Sequence, residues 1–455
     1  MMGTISDKLM RIINTKEDIR QALISKGYDV PTSIPFKEYA KMISDLPCRV
    51  DSFPDIEGIV ARYSALGLTN EQMVANPVWV DKTGNGHDLQ MKNLAWKEGS
   101  GISDIYPGAL VFDGVDDYGT CDNFPVLTKE KGYTVVALRS YLAESISYLV
   151  YNGTNAKQSA FAFERSDSLD TWSWGKDSSI RNSLPKLMSY QTSNSYNNNI
   201  ISTGTAIEGD KLIRIASSGG YCNVAIWELV FLDHDATEEE LTKIKDYFVK
   251  TYPWLFPDKA WTVTGKTNED EDRATIANIT GNGNDLVLFN FGFAEGSGYN
   301  EEGEYAGYLV TDGVDDKIIS SIFKMGNDWT VIGDWELINT GKNDNAGIVK
   351  FGSIVIYNYN YNSMLINIKN GRNILIPDQN TVNAICSDGR IYSKDWKESI
   401  YNEETESTSK NFLTIGYSGN IYTKIAFKNL AIYPTVLSRE DCIKAYNYLQ
   451  TLKAK

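Results

Sequence analysis

Apolar positions recur with two different periods along this chain. From residue 1 to about 47 the spacing is helical: Ile5, Leu9, Ile12 and Ile13, then Ile19, Ala22 and Leu23, then Phe36, Tyr39, Ala40 and Ile43. Spacings of three and four residues gather these side chains on one face of a helix. Thr15 with Asp18 reads as an N-terminal cap, Gly27 as a helix stop and Pro35 as a first-turn proline. Helices this short bury too little apolar surface for a core of their own. Residues 1–47 are therefore expected to be a helical docking and assembly module, or a cap on the neighbouring domain.

Beyond residue 47 the pattern changes to short runs rich in β-branched and aromatic residues. Tyr133–Ser140, Lys211–Ala216, Ser353–Tyr359 and Ser363–Ile368, each bounded by Gly, Asn, Asp or Ser, predict strands. Asn85-Gly86 and Asn282-Gly283 predict tight turns with positive φ at both central residues. Helical spacing returns twice. Thr237 with Glu240 and Ser438 with Asp441 predict capping boxes, followed by Leu241, Ile244, Tyr247 and Phe248, and by Ile443, Tyr446 and Leu449.

These elements are written twice. TGNGHDL at 83–89 recurs as TGNGNDL at 280–286, EGSG at 98–101 recurs at 295–298, and DGVDD at 113–117 recurs at 312–316. NVAIWELVFLDHDATEEELTKIKDYF at 223–248 aligns with KIAFKNLAIYPTVLSREDCIKAYNYL at 424–449. Order and spacing hold throughout, so the chain is a tandem duplication. Many short strands per repeat imply a mainly β fold, with a β-sandwich or jelly roll at 48–257 and a second at 258–455.

Composition narrows the partners. The 455 residues carry 44 Lys and Arg against 59 Asp and Glu, a net charge of −15, which repels phosphate backbones and anionic membranes. The longest apolar run, Asn223–Leu232, is too short to span a bilayer and is interrupted by Glu228. Charges at Asp7, Lys8, Arg11, Lys16, Glu17 and Asp18 leave the N-terminus without a secretory h-region. Cys48, Cys121, Cys222, Cys386 and Cys442 include no CxxC pair, and His87 and His234 are the only histidines, so neither a disulfide framework nor a zinc cluster is expected.

Candidate chemistry is sparse. Glycan hydrolysis on a sheet needs carboxylates alternating along one strand. The nearest approach, Glu208-Gly209-Asp210, is interrupted by glycine and has Arg214 in the third acidic position, while Glu269–Asp272 reads as a solvated loop. No catalytic residue is assigned, and the expectation is that the chain is not an enzyme. Asp113, Asp116 and Asp117, with Asp312, Asp315 and Asp316, could offer oxygen ligands to a hard cation, although Asp-Gly and Asp-Asp are also turn chemistry. Trp172 with Trp174, and Tyr357, Tyr359 and Tyr361, alternate along predicted strands as sugar platforms would, and equally as core or subunit-interface residues would. His87 is matched by Asn284 in the repeat, which favours a turn position over a ligand. The Gly-Asn-Gly loops lack the Lys-Ser/Thr of a phosphate cradle.

The run FDGVDDY (Phe112 to Tyr118), the GYTV strand and the closing AIWELVFL strand with its helix resemble the concanavalin A-like, laminin-G-like jelly roll across nearly all of both repeats. The second copy departs at Thr311 and Lys317. The resemblance implies two tandem jelly rolls with lectin-like glycan contact, and calcium occurs in such relatives. The phrase TKEDIRQALISKGYDVPTSIPFKEYAKMI at 15–43 is similar to leader modules of structural proteins in crAss-like tailed bacteriophages. That implies a head or tail fibre located in the virion, made in the host cytoplasm. Its partners would be other virion proteins through the leader, further copies of itself as a dimer or trimer, and host surface glycan. A glycan depolymerase or a free lectin on the same fold are the alternatives.

Overall fold

Buried and exposed side chains alternate along Leu89–Lys92 and again along Leu286–Phe289 in the computed structural model of this chain. That alternation marks a sheet with one face in a core and the other in solvent. The structure describes residues 16, 19–20, 53–127, 131–143, 148–152, 161–165, 188–192, 211–217, 220–338, 347–351, 354–360, 363–368, 372–376, 382–400, 413–418 and 421–454. The chain divides into a unit of Met1–Pro54 and a unit of Asp55–Lys455. In the first, Lys16, Ile19 and Arg20 are helical. The other expected leader helices lie outside the described residues.

The second unit is mainly β and contains two sandwiches. The first is built from β1 (Ile59–Ser64), β2 (Val78–Trp79), β3 (Leu89–Lys92), β4 (Gly101–Ile102), β5 (Leu110–Asp113), β6 (Tyr118–Cys121), β7 (Thr134–Tyr141), β8 (Tyr148–Asn152), β9 (Phe161–Arg165), β10 (Met188–Thr192), β11 (Ile213–Ile215) and β12 (Asn223–Leu232). One sheet runs β10-β7-β12-β5-β4 with β1 also on β12, and the other runs β2-β3-β6-β11-β8-β9. A short helix, α1 (Asn70–Ala75), follows β1, and α2 (Glu238–Thr251) follows β12.

The second sandwich repeats this plan with β13 (Lys259–Thr262), β14 (Thr275–Ile276), β15 (Leu286–Phe289), β16 (Gly298–Asn300), β17 (Tyr308–Val310), β18 (Lys317–Ser320), β19 (Thr330–Leu337), β20 (Gly347–Phe351), β21 (Ile354–Asn360), β22 (Ser363–Ile368), β23 (Arg372–Ile376), β24 (Val382–Cys386), β25 (Arg390–Ser393), β26 (Glu398–Ile400), β27 (Leu413–Ile415), β28 (Tyr417–Ser418), β29 (Ile421–Tyr422) and β30 (Ile425–Tyr433). Its sheets run β16-β17-β30-β19-β24-β25-β26, with β13 on β30, and β14-β15-β18-β27-β20-β21-β22-β23. The helix α3 (Arg439–Leu449) closes it.

Register makes the repeat concrete. Tyr63 pairs with Leu229 and Trp261 with Leu430, so both aromatics enter their cores at the same level. Tyr63 donates from its hydroxyl to the His87 carbonyl at 2.5 Å, and Trp261 from its indole to the Asn284 carbonyl at 3.0 Å. Both cores gather inward-facing residues of two sheets, among them Trp79, Phe112, Phe124 and Phe231 in the first, and Trp261, Leu309, Trp335 and Phe427 in the second. The Thr237 box forms in full at α2. At α3 the Ser438 hydroxyl accepts from the Asp441 amide and donates to the Asp441 carboxylate, so only half of the expected box is present.

The Asn-Gly turns correct the sequence reading. Positive φ falls on Gly84 and Gly86, and on Gly281 and Gly283, whereas Asn85 and Asn282 do not adopt it. Each asparagine instead spans the loop: Asn85 Nδ2 donates to the Val60 carbonyl and Asn282 Nδ2 to the Asp258 carbonyl, both at 3.0 Å. A long-range clip of this kind outweighs the local preference for a two-residue turn.

Both closing strands carry a one-residue bulge, at Trp227 in β12 and at Lys428 in β30. A bulge redirects its extra side chain away from the ladder. Trp227 is buried, and its ring meets Tyr448 of the second sandwich edge-on, at 6.2 Å between centroids and 86° between planes. Lys444 Nζ sits 4.5 Å above the Trp254 ring, and the Tyr433 hydroxyl donates to the Trp254 carbonyl at 3.0 Å. The corresponding surface of the second sandwich holds Lys428 over Tyr308, and its Ala306 and Gly307 are exposed. One repeat thus carries an apolar bulge where the other covers it, and the other carries a half-buried lysine over a tyrosine ring.

Candidate functional site

The outward rows of β3, β6 and β11, and of β15, β18 and β27, form corresponding surfaces of the two sandwiches. In the first, Leu89, Met91, Cys121, Ile213 and Ile215 point into the core, which sends Gln90, Lys92, Thr120 and Arg214 to the other face. Gln90 lies opposite Thr120, and Thr120 opposite Arg214. A groove of about 400 Å³ runs along this face, lined by Asp88, Gln90, Lys92, Thr120, Asp122 and Asn123 among others. Arg214 Nε is buried without a hydrogen-bond partner among the described residues.

Three of these four positions are apolar in the second sandwich, and Thr414 stands for Arg214. Val287 stands for Gln90, Phe289 for Lys92 and Ile319 for Thr120, with Val287 and Phe289 39% and 42% exposed. Lys317 Nζ lies 5.5 Å from the Phe289 ring centre and 5.5 Å from that of Tyr417, which packs 5.1 Å from Tyr422. This face therefore presents a short apolar strip beside a cation.

Beside each face stands the repeated aspartate turn. Asp113 Oδ1 accepts from the amides of Val115 and Asp116, and Asp117 Oδ2 from the amide of Asp113. Asp312 and Asp316 repeat this arrangement. The three carboxylates of each turn bring ligand atoms within 4.8 Å of one another. Asp117 Oδ1 and Asp316 Oδ1 are fully buried with no hydrogen-bond partner among the described residues. Burial pushes the Asp117 carboxyl up, and pushes Asp316 up to about 6. The fit to a hard cation is partial: one buried oxygen per turn is open to it, while Oδ1 of Asp113 and of Asp312 is occupied by the turn's own amides.

The Gly-Asn-Gly loops are closed around backbone amides. Asp81 accepts from the amides of Arg62, Thr83 and His87, while Asn278, its counterpart, accepts from Ala260 and Thr280 and donates to the Gly283 carbonyl. His87 packs against Phe124, 5.7 Å between ring centres.

The described residues do not place the side chains of the sugar candidates read from sequence. Trp172, Trp174 and Tyr361 lie outside the described residues, as do Glu208 and Asp210; Tyr357 and Tyr359 belong to β21, whose side chains at those positions are likewise not described. The Lys–aromatic face was missed because its members are far apart in sequence and become neighbours only through register. The available signal was the alternation in DLQMK and the place of DLVLF at the same point of the repeat.

No family model matches the chain, and no curated protein matches it. Solved structures do. Trypanosoma rangeli sialidase in complex with sialic acid is similar at 10% identity over 82% of this chain and 68% of its own, with a TM-score of 0.32. Domain 4 of AbnA, a GH43 extracellular arabinanase from Geobacillus stearothermophilus, in complex with arabinotriose, is similar at 12% identity over 42% of this chain and 98% of its own, with a TM-score of 0.30. The botulinum neurotoxin type G receptor binding domain is similar at 12% identity and a TM-score of 0.26, and this chain spans half of its length. These likenesses are loose and assign no residue a role. They correct one expectation nonetheless: sialidases are among the matched structures, so the exclusion of enzymatic activity drawn from sequence is withdrawn.

Proposed function

We propose that the two sandwiches form a tandem saccharide-binding unit that uses the outer faces of the β3-β6-β11 and β15-β18-β27 rows. The observation that carries this is the exposed Phe289 ring on β15, with Val287 beside it on the same face and the Tyr417–Tyr422 pair reached through Lys317. A sugar ring presents C–H groups that pack on an aromatic face, and nearby polar groups then orient its hydroxyls. The first face supplies such polar groups in Gln90, Thr120 and Asn123.

A glycan array probed with the full chain tests the reading. Phe289→Ala is expected to weaken the best ligand by about tenfold while leaving the melting temperature unchanged. Absence of binding to any glycan, or binding that survives Phe289→Ala together with Gln90→Ala, overturns it.

The setting as a phage fibre is carried by the leader's sequence resemblance alone. Light scattering of the chain with and without residues 1–47 tests its assembly part, a dimer or trimer being expected for the full chain and a monomer for the truncated one.

A further inference from the structure

We propose that the face of the second sandwich selects a sugar ring bearing a single negative group, a carboxylate as in a uronic acid, with Phe289 as the platform and Lys317 as the ion-pairing residue; this rests on the saccharide reading above. The two faces share one feature despite their different character. Lys92 lies directly opposite Tyr118 across β3 and β6, and Phe289 lies directly opposite Lys317 across β15 and β18. The cation and the ring have exchanged strands, yet each repeat keeps one of each at the same cross-strand position beside its aspartate turn. A cross-strand pair contributes to sheet stability in either order. Stability alone gives no reason to leave Phe289 42% and Val287 39% exposed beside it.

Lys317 forms no ion pair among the described residues. Its ammonium lies between the Phe289 and Tyr417 rings, which hold it in place without neutralising it. A sugar ring packed against the exposed apolar strip of Val287 and Phe289 lies beside that ammonium, where a carboxylate substituent makes a charge-assisted hydrogen bond about twice as strong as a neutral one. The surroundings limit how much negative charge is tolerated. Asp312, Asp315 and Asp316 stand in the adjoining turn, and the chain carries −15 overall, so a dense polyanion is repelled while one carboxylate on an otherwise neutral ring is accepted. In the first sandwich Asp88 and Asp122 line the groove with Lys92, which suits that face to neutral sugars.

The test is calorimetric titration of the full chain with an oligosaccharide that carries one glucuronic acid residue among neutral sugars and with its methyl ester, alongside an array carrying both neutral and uronate-bearing oligosaccharides. The acid is expected to bind at least tenfold more tightly than the ester. Lys317→Gln is expected to erase that preference while the far-ultraviolet circular dichroism stays that of the parent, Lys317→Arg to retain it, and Lys245→Gln, exposed on α2, to leave it untouched. Equal affinity for acid and ester, or a preference that survives Lys317→Gln, overturns the inference. Binding confined to neutral glycans and lost in Phe289→Ala overturns it while the saccharide reading stands. No binding on the array overturns both.

Discussion

Arg62 Nε lies 3.0 Å from Glu228 Oε2, and both side chains are sealed beneath α2 and the segment that follows it. The hydroxyls of Tyr247 and Tyr252 donate to Glu228 Oε1 at 3.0 and 2.8 Å, so the buried carboxylate has its hydrogen bonds filled. Burial pushes its pKa up, and the guanidinium opposes this. At the same register positions the second sandwich has Ala260 and Asn429. The ion pair is therefore a device of one repeat, replaced by neutral residues in the other.

Arg62→Ala is expected to destabilise the chain by about 3–5 kcal/mol, because it strands a buried carboxylate. Adding Glu228→Asn, the combination found in the second sandwich, is expected to recover a large part of that loss. Denaturant unfolding of the two variants checks this; equal stability of the single and double variants would show that the pair is not coupled.

Trp227→Ala removes the ring that the second sandwich packs against. A loss of about 3–5 kcal/mol is expected, together with separation of one unfolding transition into two in a calorimetric scan. Lys428→Ala, at the equivalent bulge, is expected to leave the transition as it is, since its side chain borders solvent.

Asp316 bears on pH dependence with a definite sign. Its folded-state pKa is raised from 3.8 to about 6 by burial, so above pH 6 the native state holds a disfavoured carboxylate. As pH falls from about 6 toward 4 the native state takes up this proton before the unfolded chain does, and its contribution to stability rises. In calcium-free buffer Asp316→Asn is expected to melt at a higher temperature than the parent at pH 7.5, with the difference closing by pH 4. A variant that melts lower at pH 7.5 would count against burial as the cause.

Gly333 lies so close to the Trp335 ring that a Cβ added there falls within it. Both residues are held by the β19–β30 ladder, so neither can move aside cheaply. Gly333→Ala is expected to cost about 1–3 kcal/mol or more by overpacking. In the first sandwich the matching position is Ala137, with Arg139 in place of the tryptophan, and Ala137→Gly is expected to cost only about 0.5–1 kcal/mol. Chemical denaturation of the two variants measures the asymmetry.

The β class, the duplication and the closing helices were legible in sequence because each is a local or repeated pattern. Runs rich in β-branched and aromatic residues announced Ser363–Ile368 and most of Thr134–Tyr141, and Thr237 with Glu240 announced α2. The Asn-Gly loops were misread because a long-range bond from Asn85 to the Val60 carbonyl, invisible to local propensity, sets their geometry. The aspartate turns lie between, since their amide bonds are local while the burial of Asp117 and Asp316 is not.

By itself the sequence determined that this chain folds as repeated β-sandwiches: apolar periodicity and turn residues act over a few positions, and the duplication repeats them in order. Only the tertiary structure decided which distant residues share a surface. Lys92 and Tyr118, Phe289 and Lys317, and Arg62 and Glu228 meet through strand register, which depends on how whole strands bury their apolar faces together. The faces, the sealed ion pair and the joint between the sandwiches arise at that level.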